Sequence, residues 1–272
     1  MRLINGNQNY RKDFNMAELT YSFINALLSD KPSQELAKIQ DYIDENIPEL
    51  TQLKKSQQDP IHHPEGSVWN HTMLVVDEAS KLLDKVTGSP VAFMLAALFH
   101  DIGKPASESN DSDGKIHTYG HDNIGAEMIP DIFKRFNIKD DTISYVQYMT
   151  KNHMRMHWLD SIKDYKVITM MIEGNMNDLL YLNTADTLGR AIDKNILLKK
   201  LKFDEKYERI AKLSNTGFGL YLPVITEDDL IQLEISKSLF QEELKIAFAL
   251  QRQKKTKEQI LKTLEKRKIN RL

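Results

Sequence analysis

PVAFMLAALFHD, residues 90–101, is the stretch that decides the fold. Its first ten residues are apolar almost all round, so the pattern predicts a helix buried on every side. Ser89 precedes it as an N-cap, and Pro90 occupies the first turn, where a missing N–H costs little. The run ends in an imidazole beside a carboxylate, His100-Asp101, just before Gly103 and Pro105. Two ionisable groups at the end of the most apolar helix are costly unless they pair with each other or bind a cation. A histidine meeting the helix C-terminal dipole, with the aspartate capping the next segment, would satisfy them without chemistry. The dipeptide alone leaves both readings open.

Working outward, Ser67 is placed to cap a helix running to about Val86, with Thr87-Gly88 stopping it. Residues 1–15 read as irregular. Residues 16–46 read as two short helices, with apolar positions at Leu19, Phe23 and Leu27 and then at Leu36, Ile39 and Ile43, Pro32 opening the second. A polar connector containing Pro48, Pro60 and Pro64 follows. Beyond Asp101, residues 102–120 read as a loop rich in Ser, Asp, Asn and Gly. Helices are then predicted at about 121–136, 140–151, 164–173, 175–213 (broken near Gly189), 226–234, 238–251 and 256–268. Capping boxes are expected at Thr226 with Asp229, Ser238 with Gln241, and Thr256 with Gln259. No alternating strand run and no internal repeat is found, so the expected fold is all-α.

Bulk properties agree. The chain has 272 residues, 41% hydrophobic and 28% charged, with only 11 Gly and 8 Pro, which favours helix over sheet. There are no cysteines, so disulfides and thiolate metal sites are excluded, and any metal must be held by His and carboxylates. The longest apolar run, Val91–Phe99, is nine residues, against roughly 20 for a membrane span, and the N-terminus lacks the apolar core of a signal peptide. A soluble, cytoplasmic protein is expected. The net charge is −2, yet residues 252–272 hold nine Lys/Arg against two Asp/Glu, a local +7 that leaves −9 elsewhere. Such basic C-terminal helices can contact RNA or simply form a solvated surface.

The histidines carry the chemistry. His71 lies one helix before His100-Asp101, and Asp186 lies 85 residues after Asp101, mid-helix in the apolar stretch DLLYLNTAD (178–186). Two His and two Asp converging from three helices make a divalent-cation site with positions left for water and phosphate. The order His71, His100-Asp101, Asp186 and the loop HDIGKP (100–105) resemble the HD superfamily of metal-dependent phosphohydrolases. The resemblance is closer to one branch, the HD domain of bacterial CCA-adding tRNA nucleotidyltransferases. It rests on DPIHHPEGSVWNHT (59–72), GHDNIGAE (120–127), KNHMRMH (151–157) and ITEDDLIQL (225–233) with the two helices after it, and spans roughly residues 45–268. The nucleotidyltransferase head of those enzymes should carry a Gly-Ser loop and a strand with paired aspartates. Only about 45 residues precede the HD region, and they contain neither, so this chain is not expected to add nucleotides.

The resemblance implies an all-α HD bundle at 61–213, with helical additions at 1–60 and 214–272. It implies His71, His100, Asp101 and Asp186 as metal ligands. In binuclear members the order is H, HD, H, H, D, which His121 and His153 complete. Asp101 would then bridge two ions about 3.5–4 Å apart; otherwise there is one ion, with His121 and His153 acting on the phosphate. The ions expected are Mn, Fe, Co, Ni or Zn, with Mg less suited to several imidazoles. Lys104, three residues after Asp101, is a candidate for steadying the phosphate or the attacking water, or an ordinary loop lysine. Arg190 and His157 are candidate substrate-binding groups, each with a surface or ion-pair role as the alternative. His63 and Glu65 are candidates for orienting a ligand from behind, or loop packing. His62 and His117 are read as surface residues, and Met149, Met154, Met156, Met170, Met171 and Met176 as core filler.

The expected activity is hydrolysis of a phosphomonoester or phosphodiester of a nucleotide or an RNA 3′-end, a 2′-phosphate or 2′,3′-cyclic phosphate being favoured by the resemblance. The competing readings are a non-catalytic nucleotide- or RNA-binding module with a structural metal site, and a di-iron oxygenase using the same ligands.

Overall fold

The computed structural model describes residues 16–112, 115–214 and 222–270; residues 1–15 and the side chain of Leu19 lie outside them. The chain opens with α1 (Met16–Leu27), α2 (Pro32–Lys38), α3 (Gln40–Asn46) and α4 (Pro48–Gln52), the last falling inside the connector expected to be irregular. Then come α5 (Val68–Ser80), α6 (Pro90–Phe99), α7 (Lys104–Ser107), α8 (His121–Lys134), α9 (Asp140–His157), α10 (Asp164–Glu173), α11 (Met176–Leu188), α12 (Lys194–Leu201) and α13 (Phe203–Leu213). Helices α14 (Glu227–Gln232), α15 (Phe240–Arg252) and α16 (Lys257–Ile269) close it. The only sheet among the described residues is a small antiparallel pair, β1 (Ser109–Asn110) with β2 (Ile116–His117). It interrupts the segment read as a plain loop. Apart from an isolated bridge between Gln57 and Ser67, the other elements among the described residues are helices.

Helix α6 is the axis of the molecule. Every residue from Ala92 to Phe99 is buried, and the helix packs against α5, α9, α11 and α1. Its N-terminus is built as the sequence predicts, with the Ser89 hydroxyl accepting from the Ala92 N–H and Pro90 in the first turn. Ser67 caps α5 in the same way, accepting from Asn70. Helix α5 ends at Ser80, short of Val86. Residues 82–85 continue in tighter i→i+3 bonds, because the chain is drawn towards Asp178 of α11, which accepts from the backbone N–H groups of Thr87 and Gly88.

Gly103 permits a close approach just after α6. A Cβ there would collide with the carbonyl of His121 and the backbone of Gly125. The end of α6 can therefore abut the start of α8, which enters its first turn from Gly120 in the left-handed region (φ +77°). That contact sets His121 against Asp101.

Helix α9 runs six residues beyond the predicted end, to His157. The inward positions of its last turns are Asn152, His153 and Met156, so the burial pattern continues although the apolar pattern fades. The long segment 175–213 is broken in two places, giving α11, α12 and α13. The capping boxes at Thr226 and Thr256 are present. The one expected at Ser238 is not: a 3₁₀ turn (Lys237–Leu239) occupies the site, and Ser238 Oγ lies 3.0 Å from Ser236 Oγ.

One continuous apolar core gathers residues from Phe23 of α1 to Ile210 of α13. A second, smaller cluster joins Ile225, Leu230, Phe240, Ala247, Ile260 and Leu264. No helix among the described residues is long and apolar enough to cross a membrane.

Candidate metal centre

The predicted site residues meet where the C-terminal ends of α6, α9 and α11 converge on α5 and the start of α8. Four imidazoles stand in a row, with ring centroids 5.5 Å apart for His71–His100, 5.3 Å for His100–His153 and 5.2 Å for His153–His121. All four side chains are buried, as are Asp101 and Asp186.

Three of these rings are oriented identically. Nδ1–H of His100 donates to the Ala97 carbonyl at 2.9 Å, that of His121 to Thr118 at 2.7 Å, and that of His153 to Thr150 at 2.7 Å. Each bond fixes the tautomer and leaves the Nε2 lone pair facing the centre, the arrangement that metal-binding histidines require. His100 Nε2 has no hydrogen-bond partner. His121 Nε2 and His153 Nε2 lie 3.3 Å apart; with both Nδ1 protonated, two lone pairs would face each other across that gap. A cation between them and the nearby carboxylate resolves the repulsion.

Asp101 supplies that carboxylate. Its Oδ1 is 3.3 Å from His121 Nε2 and 3.5 Å from His153 Nε2; its Oδ2 is 3.2 Å from His100 Nε2 and 3.9 Å from His71 Nε2. One carboxylate thus faces two pairs of imidazoles with its two oxygens. Potential donor atoms cluster tightly in the triads His71–His100–Asp101 and Asp101–His121–His153. Burial alone would push the Asp101 carboxyl up, but His100, Lys104 and His121 hold it well below the usual carboxylate range.

Asp186 stands slightly to one side. Its Oδ1 accepts from His71 Nε2 at 3.1 Å and its Oδ2 from His157 Nε2 at 2.7 Å. Burial raises its carboxyl, and His157 and His71 outweigh that, keeping it ionised. Burial likewise pushes the His71 imidazole down, but Asp186 and Glu65 leave it raised above its ordinary value. For His153 burial dominates and the imidazole is lowered.

Behind His71 sits Glu65. Its Oε1 is 2.8 Å from His63 Nδ1 and 3.0 Å from His71 Nδ1, and its Oε2 accepts from the Ala191 N–H at 3.1 Å. The contact to His71 is an ion-pair distance without hydrogen-bond alignment, since His71 Nδ1 has no hydrogen-bond partner. His63 and Glu65 thus lie directly behind His71, at the back of the cluster.

The centre opens into a cleft of about 200 Å³ lined on the site side by Asp101, His121, His153 and Asp186 and at its rim by Lys104, His157, Arg190, Gln58 and Thr118. Lys104 is no ordinary loop lysine: its ammonium is 2.6 Å from Asp101 Oδ2 and 2.7 Å from Gln58 Oε1. Arg190 reaches the cleft with its Nε buried and unpartnered. His62, read as a surface residue, also lines the cleft, whereas His117 pairs with Asp111 and stacks on Tyr119 in the hairpin. Of the methionines, Met154 lines the cleft, and Met149, Met156, Met170, Met171 and Met176 are core.

Sequence reasoning missed Gln58 and a chain of contacts reaching Lys206. The Lys206 ammonium donates to Asn183 Oδ1 at 2.8 Å, and Asn183 Nδ2 lies 3.3 Å from the ring of His157. Lys206 is only 3% exposed, and burial, opposed by Asp160 and Asp186, pushes it down to about 8. Its one signal in the sequence is its place on the apolar stripe of helix 203–213, three residues after Phe203 and four before Ile210, where it reads as an aliphatic stem along the core rather than a site group.

Comparison with known proteins agrees with this geometry. The chain is 31% identical over 122 residues to the "Multifunctional CCA protein" of Actinobacillus pleuropneumoniae serotype 5b, covering 45% of this chain and 29% of that protein. It is 27% identical over 173 residues to the protein of the same name from Methylobacillus flagellatus, covering 60% and 40%. It is 29% identical over 144 residues to the "CC-adding tRNA nucleotidyltransferase" of Thermus thermophilus, covering 53% and 32%. The match thus spans less than half the length of these relatives. Residues 68–212, more than half of the chain and the stretch that holds all six clustered His and Asp side chains, match the HD domain, and the chain belongs to that family.

Proposed function

We propose that the chain is a divalent-metal-dependent phosphohydrolase acting on a phosphomonoester or phosphodiester of a nucleotide or RNA end, a 2′-phosphate or 2′,3′-cyclic phosphate above all. The observation that carries the reading is the set of Nε2 lone pairs held towards Asp101 by three Nδ1–H bonds to backbone carbonyls, with His100 Nε2 left unpartnered. The residues fit one or two ions. His71, His100, Asp101 and Asp186 would hold one, and Asp101, His121 and His153 a second. The nitrogen-rich, sulfur-free donor set suits Mn, Fe, Co, Ni or Zn better than Mg. A divalent ion bound there supplies a Lewis acid for the phosphoryl oxygens and an ionised water at neutral pH.

The chain's own residues do the rest. Lys104, lodged between Asp101 and Gln58, fixes the Asp101 carboxylate and places a positive charge at the cleft wall. Arg190 has an unpartnered Nε at the rim, and His157 faces the same space from Asp186. Together they bind phosphoryl oxygens, and His157 is placed to give a proton to the leaving oxygen. The RNA-end preference is supported by the names of the CCA-protein relatives. On this reading residues 61–213 perform the chemistry, and 1–60 and 214–272 are helical additions.

The test is hydrolysis of bis-p-nitrophenyl phosphate and of 2′,3′-cyclic AMP by the purified chain with Mn, Co, Ni or Mg added. Turnover that needs a transition metal and falls by about 10³ in Asp101→Ala is expected. A chain that loads metal yet hydrolyses no phosphate ester would overturn the proposal and favour the non-catalytic module.

A further inference from the structure

The last two turns of α9 show two faces. One carries His153 and His157 into the metal-site cleft. The other carries Lys151, Arg155 and Trp158, spaced i, i+4, i+7 and all exposed. Across from them, Tyr165, Lys166 and Thr169 of α10 form the opposite wall of an open groove of about 570 Å³. Trp158 is 66% exposed and Tyr165 50%, two large aromatic surfaces left open among the described residues. Glu173 is the one acidic residue lining the groove among the described residues, against Lys151, Arg155 and Lys166. Arg252 of α15 adds a further cation at the wall, donating to Thr169 Oγ1 at 3.2 Å. Met154 lines both the groove and the cleft, which thus flank the same turn of α9.

We propose that this groove binds a single-stranded oligonucleotide and leads its end into the metal-site cleft. Exposed aromatic faces alternating with cations are what an unpaired strand needs. Each base finds a ring to stack on, and each phosphate a positive charge, with no sequence requirement. Lys151, Arg155 and Lys166 beside the two aromatic residues favour a polyanionic occupant over a protein, whose docking sites are depleted of lysine at their centre. A duplex keeps its bases stacked inside and offers nothing to Trp158 and Tyr165. On this proposal a strand crosses the Met154 side of α9, its end phosphate in the cleft and its preceding bases against Trp158 and Tyr165. The destination of that end rests on the phosphohydrolase reading; the binding does not.

The experiment is fluorescence anisotropy with a labelled oligoadenylate of roughly ten nucleotides carrying a 3′-phosphate, measured in chelator so that nothing is cleaved. The expected results are a rise in Kd of about tenfold or more for Trp158→Ala and a smaller rise for Tyr165→Ala, with Trp158→Phe close to wild type. Lys151→Glu with Lys166→Glu should flatten the salt dependence by about 1.4 in slope. A duplex of the same length should bind more weakly. Hydrolysis of 2′,3′-cyclic AMP by Trp158→Ala should stay within about twofold of wild type, because the residue lies outside the cleft. Oligonucleotide affinity unchanged in all of these variants would overturn the proposal and leave the exposed aromatics to a protein partner. Failure of the phosphohydrolase reading leaves a different trace: tight oligonucleotide binding that depends on Trp158, with no ester turnover by any variant.

Discussion

Helix α11 buries two aspartates eight residues apart, Asp178 and Asp186, and they are buried for different reasons. Asp178 lies in the first turn, where the helix dipole favours a carboxylate. It accepts from Thr87 N–H at 2.8 Å, Thr87 Oγ1 at 3.0 Å, Gly88 N–H at 2.8 Å and the Tyr145 hydroxyl at 2.7 Å. Every donor is neutral and fixed, and the aspartate pins the turn before α6 onto α11. Asp186 lies in the last turn, where the dipole opposes a negative charge. It pairs with two imidazoles, His71 and His157, beside a cluster of lone pairs suited to a cation. A buried carboxylate satisfied by neutral donors at the favourable end of a helix is architecture. One at the unfavourable end, facing histidines, is placed to meet a cation.

The sharpest way to break this comparison is to remove each carboxylate in turn. Asp186→Ala should lower metal-dependent turnover by about 10³ while the folded state persists. Asp178→Ala should leave four donors without an acceptor and cost about 3 kcal/mol of stability or more, seen as a lower denaturant midpoint, with the folded fraction still active. The opposite pattern would mean that the roles are reversed. Next in size, Glu65→Gln should weaken metal binding by about 10–100-fold in a chelator competition, because His71 loses the carboxylate behind its Nδ1. Unchanged affinity would reduce Glu65 to a loop contact. Thr87→Ala removes one donor to Asp178 and should cost about 1 kcal/mol in chemical denaturation with no change in metal affinity.

A further effect concerns pH. Burial pushes the Lys206 ammonium down to about 8 from its ordinary 10.5. Between those values the folded chain has lost a proton that the unfolded chain keeps, so Lys206 makes stability rise with pH through that window and contributes no slope below it. Lys206→Met should lack that part of the rise in unfolding measured from pH 8 to 10.5. Identical slopes for the two proteins would show that Lys206 is solvated.

The sequence made most of the Asp186 side of this comparison legible and little of the Asp178 side. His100-Asp101 stood out because an apolar helix ended on two ionisable groups, and the order of the remaining histidines completed a set that the fold brings together. Asp178 and Asp186 share the same apolar stretch, and no local signal separates them. Asp178 finds its partners some 90 residues away in the chain, at a turn that reads only as a helix stop. The end of α9 was misjudged for a related reason. Inward positions that hold site groups, such as Asn152 and His153, break the apolar period without breaking the helix. Lys206 and Gln58 became visible only once distant elements had packed, since each gains its role from a partner more than 20 residues away.

The most direct test of the central claim is elemental analysis of the purified chain and of Asp101→Ala after loading with manganese or zinc and removal of excess ion. The account predicts at least about one tightly held divalent ion per wild-type chain and its loss in the variant, because Asp101 faces every imidazole of the cluster. A wild-type chain that retains no ion, or an Asp101→Ala chain that retains as much as wild type, would contradict it.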